Sequence, residues 1–233
     1  MLPLVPVAGI TLEECAELAR GLAKRIYDEL GIPCYCYEAA AFKPERKNLA
    51  VCRAGEYEAL PEKIADPAKA PDFGPKEYNE TVAKSGAINV GARDFLVAVN
   101  YNLNTTSTPR AVAIAFDVRE KGRKMREGGS LTGKVLKDEN GKDRWQPGTL
   151  KGCKAIGWFI DEYGIAQVSM NITNIQATPL HVAYEEVSRA AAARGLKVTG
   201  AEIVGLVPKR VLMEAGKFYL EKQERSLGIS EDE

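Results

Sequence analysis

Strand interiors disfavour asparagine. Yet Asn100, Asn102 and Asn104 follow the apolar run Phe95-Leu96-Val97-Ala98-Val99 at a spacing of two. Strand side chains alternate between faces, so these amides share one side of a sheet. Gln167, Ser169 and Asn171 repeat that spacing on a second apolar stretch. Two such rows suit a hydrated, ligand-holding cleft, or a sheet face open to solvent. Ahead of the first row lies a polar, glycine-punctuated stretch from Asp72, with Gly74, Pro75, Gly86, Gly91 and Arg93. Glycines let backbone approach a ligand closely. A long linker entering a domain is the alternative reading. Arg93 and the two polar rows form the set expected to line a cleft.

The remaining reactive residues point to less. His181 is the single histidine and stands at the start of a helix, where the dipole disfavours its charged form. A structural place at the helix end is favoured over general-base work. No Ser/His/Asp set assembles, no cysteine has a histidine near it in sequence, and no glycine cluster spells a dinucleotide fingerprint. Lys43, Glu45, Arg46, Lys47 and Arg53 read as a solvated face, with anion binding the minority reading. Tyr35 and Tyr37 read as strand and core residues.

Lys+Arg and Asp+Glu are equal at 32 each, so no net field favours nucleic acid or an anionic membrane. No apolar run approaches the roughly 18–20 residues that span a bilayer. The start, MLPLVPVAGIT, lacks the basic region of a signal peptide. Five cysteines without a disulfide-framework spacing, beside one histidine, argue for reduced thiols, no metal site and a cytoplasmic setting.

Behind these residues stand the elements that must hold them. Residues 3–8 suit a strand. Thr11 and Glu14 form a capping box, and the helix they open ends at Gly31 with Pro33 beyond. Its apolar face is expected to carry Leu12, Cys15, Leu18, Ala19, Leu22 and Ile26. Cys34–Tyr37 reads as a strand. Short helices are expected from Lys43, and Pro61, Pro67, Pro71 and Pro75 argue against regular structure, placing a unit boundary there. From Phe95 the order is strand, helix from Thr108-Pro109, strand Cys153–Ile160, strand Ile165–Ile172, helix from Thr178-Pro179, strand Leu196–Thr199. A break at Gly200 and a short extension follow. Residues 122–149 read as an inserted hairpin or loop. Pro208 opens a last helix, with Val211, Leu212, Ala215, Phe218 and Tyr219 on its buried side. A charged tail from Gln223 is expected to fray.

That order is the split βαβ, ferredoxin-like arrangement of an α+β protein. Residues 1–60 read as the back half of a second such unit, with an unpaired edge and an uncovered face, and hence as the less stable part. The domain plan is therefore 1–71, a linker at 72–94, and a complete unit at 95–233.

Several long blocks, PVAGITLEECAELARGLAKRIYDELGIPCYCYEAAAFKPERKNLA, RAGEYEAL, APDFGP, GARDFLVAVNYNLNTT, AIGWFIDEYGIAQVSMNIT and AEIVGLVP, resemble the formiminotransferase (glutamate formimidoyltransferase) family. The resemblance implies paired ferredoxin-like subdomains with folate held in a cleft or tunnel between them. It implies transfer of a formimino group from N-formimino-L-glutamate to N5 of tetrahydrofolate, a cytoplasmic step of histidine breakdown. Tetrahydrofolate would be a co-substrate, no metal would take part, and a homodimer is the family's habit. A folate-contacting loop would start at the glycine of PDFGP and comprise Gly74, Pro75, Lys76, Glu77 and Tyr78, then Ser85, Gly86 and Ala87, with extra residues near Asn79–Lys84. The family's catalytic histidine would lie in a His-Pro-Arg stretch ahead of Met1, so no catalytic residue is assigned here and poor turnover by this chain alone is expected. His181 does not match it. Lys209-Arg210 departs from an expected apolar residue, and the family's last elements and any cyclodeaminase domain are expected to be absent. The alternatives are a folate- or anionic-metabolite-binding module without turnover, and a regulatory or nucleic-acid-binding ferredoxin-like module. Balanced charge and the lack of paired aromatics on the central strands argue against the latter.

Overall fold

The structure is a computed structural model that describes residues 1–129 and 132–223. Ser130, Leu131 and the charged tail beyond Gln223 lie outside the described residues. The chain mixes helices and strands in two units, Met1–Asp94 and Phe95–Glu233, with several separate sheets.

The first unit contains β1 (Leu2–Leu4), α1 (Leu12–Leu30), β2 (Cys34–Glu38), α2 (Leu49–Arg53), α3 (Leu60–Ala65), α4 (Glu80–Ser85) and β3 (Ile88–Ala92). The capping box is formed: Thr11 Oγ accepts from Glu14 N, while Glu14 Oε2 accepts from Thr11 N at 2.8 Å. Gly31 closes α1 in the left-handed region at φ 69°. The buried face of α1 is Cys15, Ala16, Ala19 and Ala23, while Leu18 is left 57% exposed. Small side chains let the helix lie close on the sheet, so the stripe is rotated from the one expected.

Two corrections concern this unit. Its sheet has the order β1-β3-β2, and both outer strands run parallel to β3. It is thus not an antiparallel half-sheet with an uncovered face. Parallel strands need cover on both sides. Cys34 and Cys36 face α1, whereas Tyr35 and Tyr37 pack with Cys52, Leu60, Ile64 and Val82 on the other side. Nor is 72–94 a linker: it supplies α4 and the central strand, and the unit boundary falls after Asp94 rather than among the prolines. Pro61 sits in the first turn of α3, where no N–H is needed.

The second unit contains β4 (Val97–Leu103), α5 (Thr108–Val118), β5 (Arg123–Lys124), β6 (Trp145–Gln146), β7 (Cys153–Ile160), β8 (Ile165–Ile172), α6 (Leu180–Ala192), β9 (Val198–Val204) and α7 (Lys209–Lys222). The main sheet has the order β7-β8-β4-β9, with every pairing antiparallel. Val97, Val99, Tyr101 and Leu103 point to one side and pack with Ala111, Ile114, Ala115 and Val118 of α5 and with Ala183, Val187, Ala190 and Ala191 of α6. Gly157 is required where β7 meets α5, because a Cβ there would run into the Val112 nitrogen and the Ala111 carbonyl carbon. β5 and β6 pair across the 122–149 excursion.

Local details differ from the expected ones. The cap of α5 is Ser107, one residue early, and that of α6 is Pro179. Thr178 is buried, and its hydroxyl donates to Lys151 O at 2.6 Å. β9 runs unbroken through Gly200, which sits beside a register shift opposite Asn102. On α7 Val211 is buried, but Leu212 is exposed.

Candidate functional site

The APDFGP loop is held by its aspartate. Asp72 Oδ2 accepts the Cys36 N–H at 2.7 Å, and Oδ1 lies 2.7 Å from Arg46 Nη1. Both side chains are about 95% buried (5% and 6% exposed). Arg46 Nη2 also donates to Ala70 O at 2.5 Å, and its guanidinium lies 5.1 Å from the Tyr35 ring. Phe73 bridges to Cys34, and Gly74 turns tightly against Pro71, whose ring leaves no room for a Cβ. Sequence reading missed Asp72 and misplaced Arg46 on a solvated face. A lone carboxylate between Pro71 and Phe73 was the available signal.

Beyond Gly74 the predicted loop divides. Lys76 and Glu77 are exposed. The Tyr78 hydroxyl lies 3.3 Å from that of Tyr57, which donates to Ala83 O at 2.6 Å. That contact raises the Tyr78 pKa above its ordinary value. Glu80–Ser85 form α4, capped by Asn79 Oδ1 accepting from Val82 N at 3.0 Å. Ser85 Oγ donates to Gly86 O, and Gly86 adopts φ 66°.

Gly86 and Ala87 then line a cavity of about 340 Å³ together with Tyr35, Tyr57, Lys63 and Asn89. Gly74–Tyr78 and Ser85 do not line it. The Tyr35 hydroxyl and Asn89 Oδ1 are buried and lack hydrogen-bond partners. Lys63 is 8% exposed and donates to Cys52 O at 2.5 Å. Burial lowers its pKa and pushes that of Tyr35 up to about 12, so the phenol is a donor at neutral pH. A cavity with an orphan donor, an orphan acceptor and a desolvated ammonium can hold a polar, anionic or amide-bearing molecule. Tyr35, Lys63 and Asn89 were not foreseen as site residues, because an alternating CYCY strand reads as core.

Arg93 leaves the end of β3, with its N–H on Leu4 O at 3.0 Å and Nη1 on Asp94 O at 2.9 Å. Its charge and a hydrogen bond oppose the burial that raises the Tyr37 pKa.

In the second unit the two polar rows do meet. Asn100 lies opposite Ser169, Asn102 opposite Gln167, and Ala98 opposite Asn171. Gln167 is fully buried and donates to Asn102 Oδ1 at 2.5 Å and to Glu202 Oε2 at 3.5 Å, while its Oε1 has no partner. Asn100 Nδ2 donates to the same Glu202 oxygen at 3.4 Å, and a hydrogen bond to Glu202 raises the Tyr163 pKa. This amide face lies opposite the side packed on α5 and α6. Asn104 does not join it: its Oδ1 accepts from Lys197 N at 2.7 Å and pins the end of β9. Glu202 was missed, although a carboxylate within an apolar strand was its signal. His181 stacks on Phe218 with centroids 4.4 Å apart, and its Nδ1 is buried without a partner. Among the described residues no group of three or more His, Cys, Asp and Glu could hold a metal ion, and no helix is long and apolar enough to cross a membrane.

The chain thus carries a polar cavity in its first unit and an amide-lined sheet face in its second, features that suit a small polar ligand. Comparison with known families sharpens this reading. The family described as Formiminotransferase domain matches residues 98–233, and Formiminotransferase domain, N-terminal subdomain, matches residues 1–93. The chain belongs to the formiminotransferase family. It is similar to the formimidoyltransferase-cyclodeaminase of Sus scrofa, 43% identical over 99% of this chain and 38% of that protein. It is also similar to the glutamate formimidoyltransferases of Streptococcus pyogenes serotype M1 and Thermoplasma acidophilum, 36% and 39% identical over 95% of this chain. The chain spans 65% and 64% of those two proteins.

Proposed function

We propose that this chain takes part in transfer of a formimino group from N-formimino-L-glutamate to N5 of tetrahydrofolate, in cytoplasmic histidine degradation. The observation that carries the reading is 36–39% identity to proteins named glutamate formimidoyltransferase along 95% of the chain. In that reaction the N5 lone pair attacks the amidinium carbon, a tetrahedral intermediate forms, N5 gives up its proton, and the bond to the glutamate nitrogen breaks as that nitrogen gains a proton. His181 is occupied by its stack on Phe218 and is not assigned to this proton transfer. Tetrahydrofolate is the co-substrate and no metal is assigned a role.

The assigned folate contacts are Gly74, Pro75, Lys76, Glu77, Tyr78, Ser85, Gly86 and Ala87. The cavity behind Gly86 and Ala87 supports the last two most directly, through the unpartnered Tyr35 hydroxyl and Asn89 carbonyl. Arg93, and separately the amide face of Asn100, Asn102, Gln167, Ser169 and Asn171, are assigned to ligand contact. The strand order of the second unit supports a ferredoxin-like reading of that unit. A homodimer is proposed as the assembly.

Calorimetry with tetrahydrofolate, beside a turnover assay that follows formimino-tetrahydrofolate by mass spectrometry, tests the reading. Saturable binding that weakens about tenfold or more in Asn89→Leu is the expected result. Absence of heat and of any thermal shift at millimolar tetrahydrofolate refutes it. Binding without turnover favours the non-catalytic folate-binding reading for this chain.

A further inference from the structure

A second cavity, of about 430 Å³, shares Tyr35, Cys52 and Lys63 with the first. It is lined by Arg46, Val51 and Lys69 as well as by Tyr35 and Lys63, and it does not include Gly86, Ala87 or Asn89. Its buried polar groups are unbalanced. Lys63 Nζ places two of its three protons toward the carbonyls of Cys52, at 2.5 Å, and Ala54, at 3.4 Å, and lies 4.9 Å from the Tyr35 ring. Arg46 Nη1 is ion-paired to Asp72 but off the line of a good hydrogen bond. The Tyr35 hydroxyl is buried without a partner. Tyr35 and Lys63, 2% and 8% exposed, therefore hold donor capacity beyond the acceptors they meet, beside an Arg46 guanidinium whose charge is matched by Asp72. The carboxylates on the lining, Glu45 and Glu62, are exposed.

Buried donors are stabilised by an acceptor, and charged acceptors make the stronger bonds. We infer that this cavity is a binding site for a small oxyanion, the carboxylate or phosphate group of a metabolite, held by the Tyr35 hydroxyl, the Lys63 ammonium and the Arg46 guanidinium. The site shares Tyr35 and Lys63 with the cavity behind Gly86 and Ala87, differs from it in Arg46, Val51 and Lys69, and does not depend on the formimino-transfer reading. The ammonium lies over the tyrosine ring, so an anion in the cavity meets a cation already fixed in place. Exposed Val51 and Lys69 at the lining give access from solvent.

The test is calorimetry and thermal shift on the full chain with two probes, inorganic phosphate and glutarate, at constant ionic strength. Saturable binding of either supports the site, and the tighter probe identifies the headgroup class. Tyr35→Phe removes only the hydroxyl that makes no bond in the free protein, so folding is retained and binding weakens about tenfold or more. Val51→Trp plugs the lining and abolishes probe binding while tetrahydrofolate binding persists, which separates this site from the one at Gly86. No saturable binding of either probe at millimolar concentration overturns the inference. Unchanged affinity in both variants also overturns it, because the anion then sits elsewhere.

Discussion

Replacing Asp72 with asparagine leaves a side chain of the same shape and keeps an oxygen for the Cys36 N–H, but it removes the charge facing Arg46. Both partners are nearly out of contact with water. Breaking such a pair on one side leaves an uncompensated buried charge, which costs about 3–5 kcal/mol. A unit of this size has a total stability of about 5–14 kcal/mol, so this one substitution removes a large share. With a urea slope of about 1–3 kcal/mol per molar, the midpoint falls by roughly 1–5 M. Removing both charges, in Arg46→Met with Asp72→Asn, costs much less than the sum of the single changes, because no lone charge remains.

The two units supply separate probes for this measurement. Trp145 and Trp158 both lie beyond Phe95, so tryptophan fluorescence follows the second unit. Cys15, Cys34, Cys36 and Cys52 are buried in the first unit, so position-resolved thiol labelling follows that one. The expected outcome is an early labelling transition in Asp72→Asn with an unchanged fluorescence transition. A loss below about 1 kcal/mol, or additive single changes, would refute the view that this latch is a desolvated, coupled pair.

Burial, helped by the Asp72 charge, pushes the Cys34 and Cys36 pKa values up to about 12. An unfolded thiol titrates near 9, so this contribution is intact below pH 9 and is lost as pH rises toward 12; the urea midpoint of the first unit should fall across that window, and less so in a Cys34→Ala/Cys36→Ala variant. Tyr101 is fully buried with an unpartnered hydroxyl, so Tyr101→Phe should leave stability unchanged or raise it by about 1 kcal/mol, read by tryptophan fluorescence. Gly157→Ala drives a methyl into the α5 backbone and should cost about 1–3 kcal/mol or more, seen as a lower melting temperature of the second unit. Thr11→Ala removes one side of the capping box and should cost about 0.5–2 kcal/mol, measured by thiol labelling of Cys15.

The candidate site was legible where one strand carried its own pattern. Asn100, Asn102, Gln167 and Ser169 could be placed on a shared face by alternation alone, and the register then set them side by side. Asn104 shows the limit, since a residue past the strand end no longer obeys the alternation. Tyr35, Lys63 and Asn89 were hidden because each comes from a different element and reads as ordinary core or helix in isolation. Their meaning depends on what closes over them, which is not a local property.

The sequence by itself determined the short-range features: the Thr11–Glu14 cap, the Gly31 stop, and the order of strands and helices after Phe95. It also determined the family, through blocks spread over nearly the whole chain. These depend on residues a few positions apart or on direct resemblance. Tertiary structure alone decided that Ile88–Ala92 enters between β1 and β2, that Asp72 meets Arg46, and that both faces of β2 are covered. Each joins segments that are far apart along the chain, and backbone pairing carries no residue code that names its partner. The choice is made by which arrangement buries Cys34 with α1 and Tyr35 with α3 at once, and that sum exists only in the folded chain.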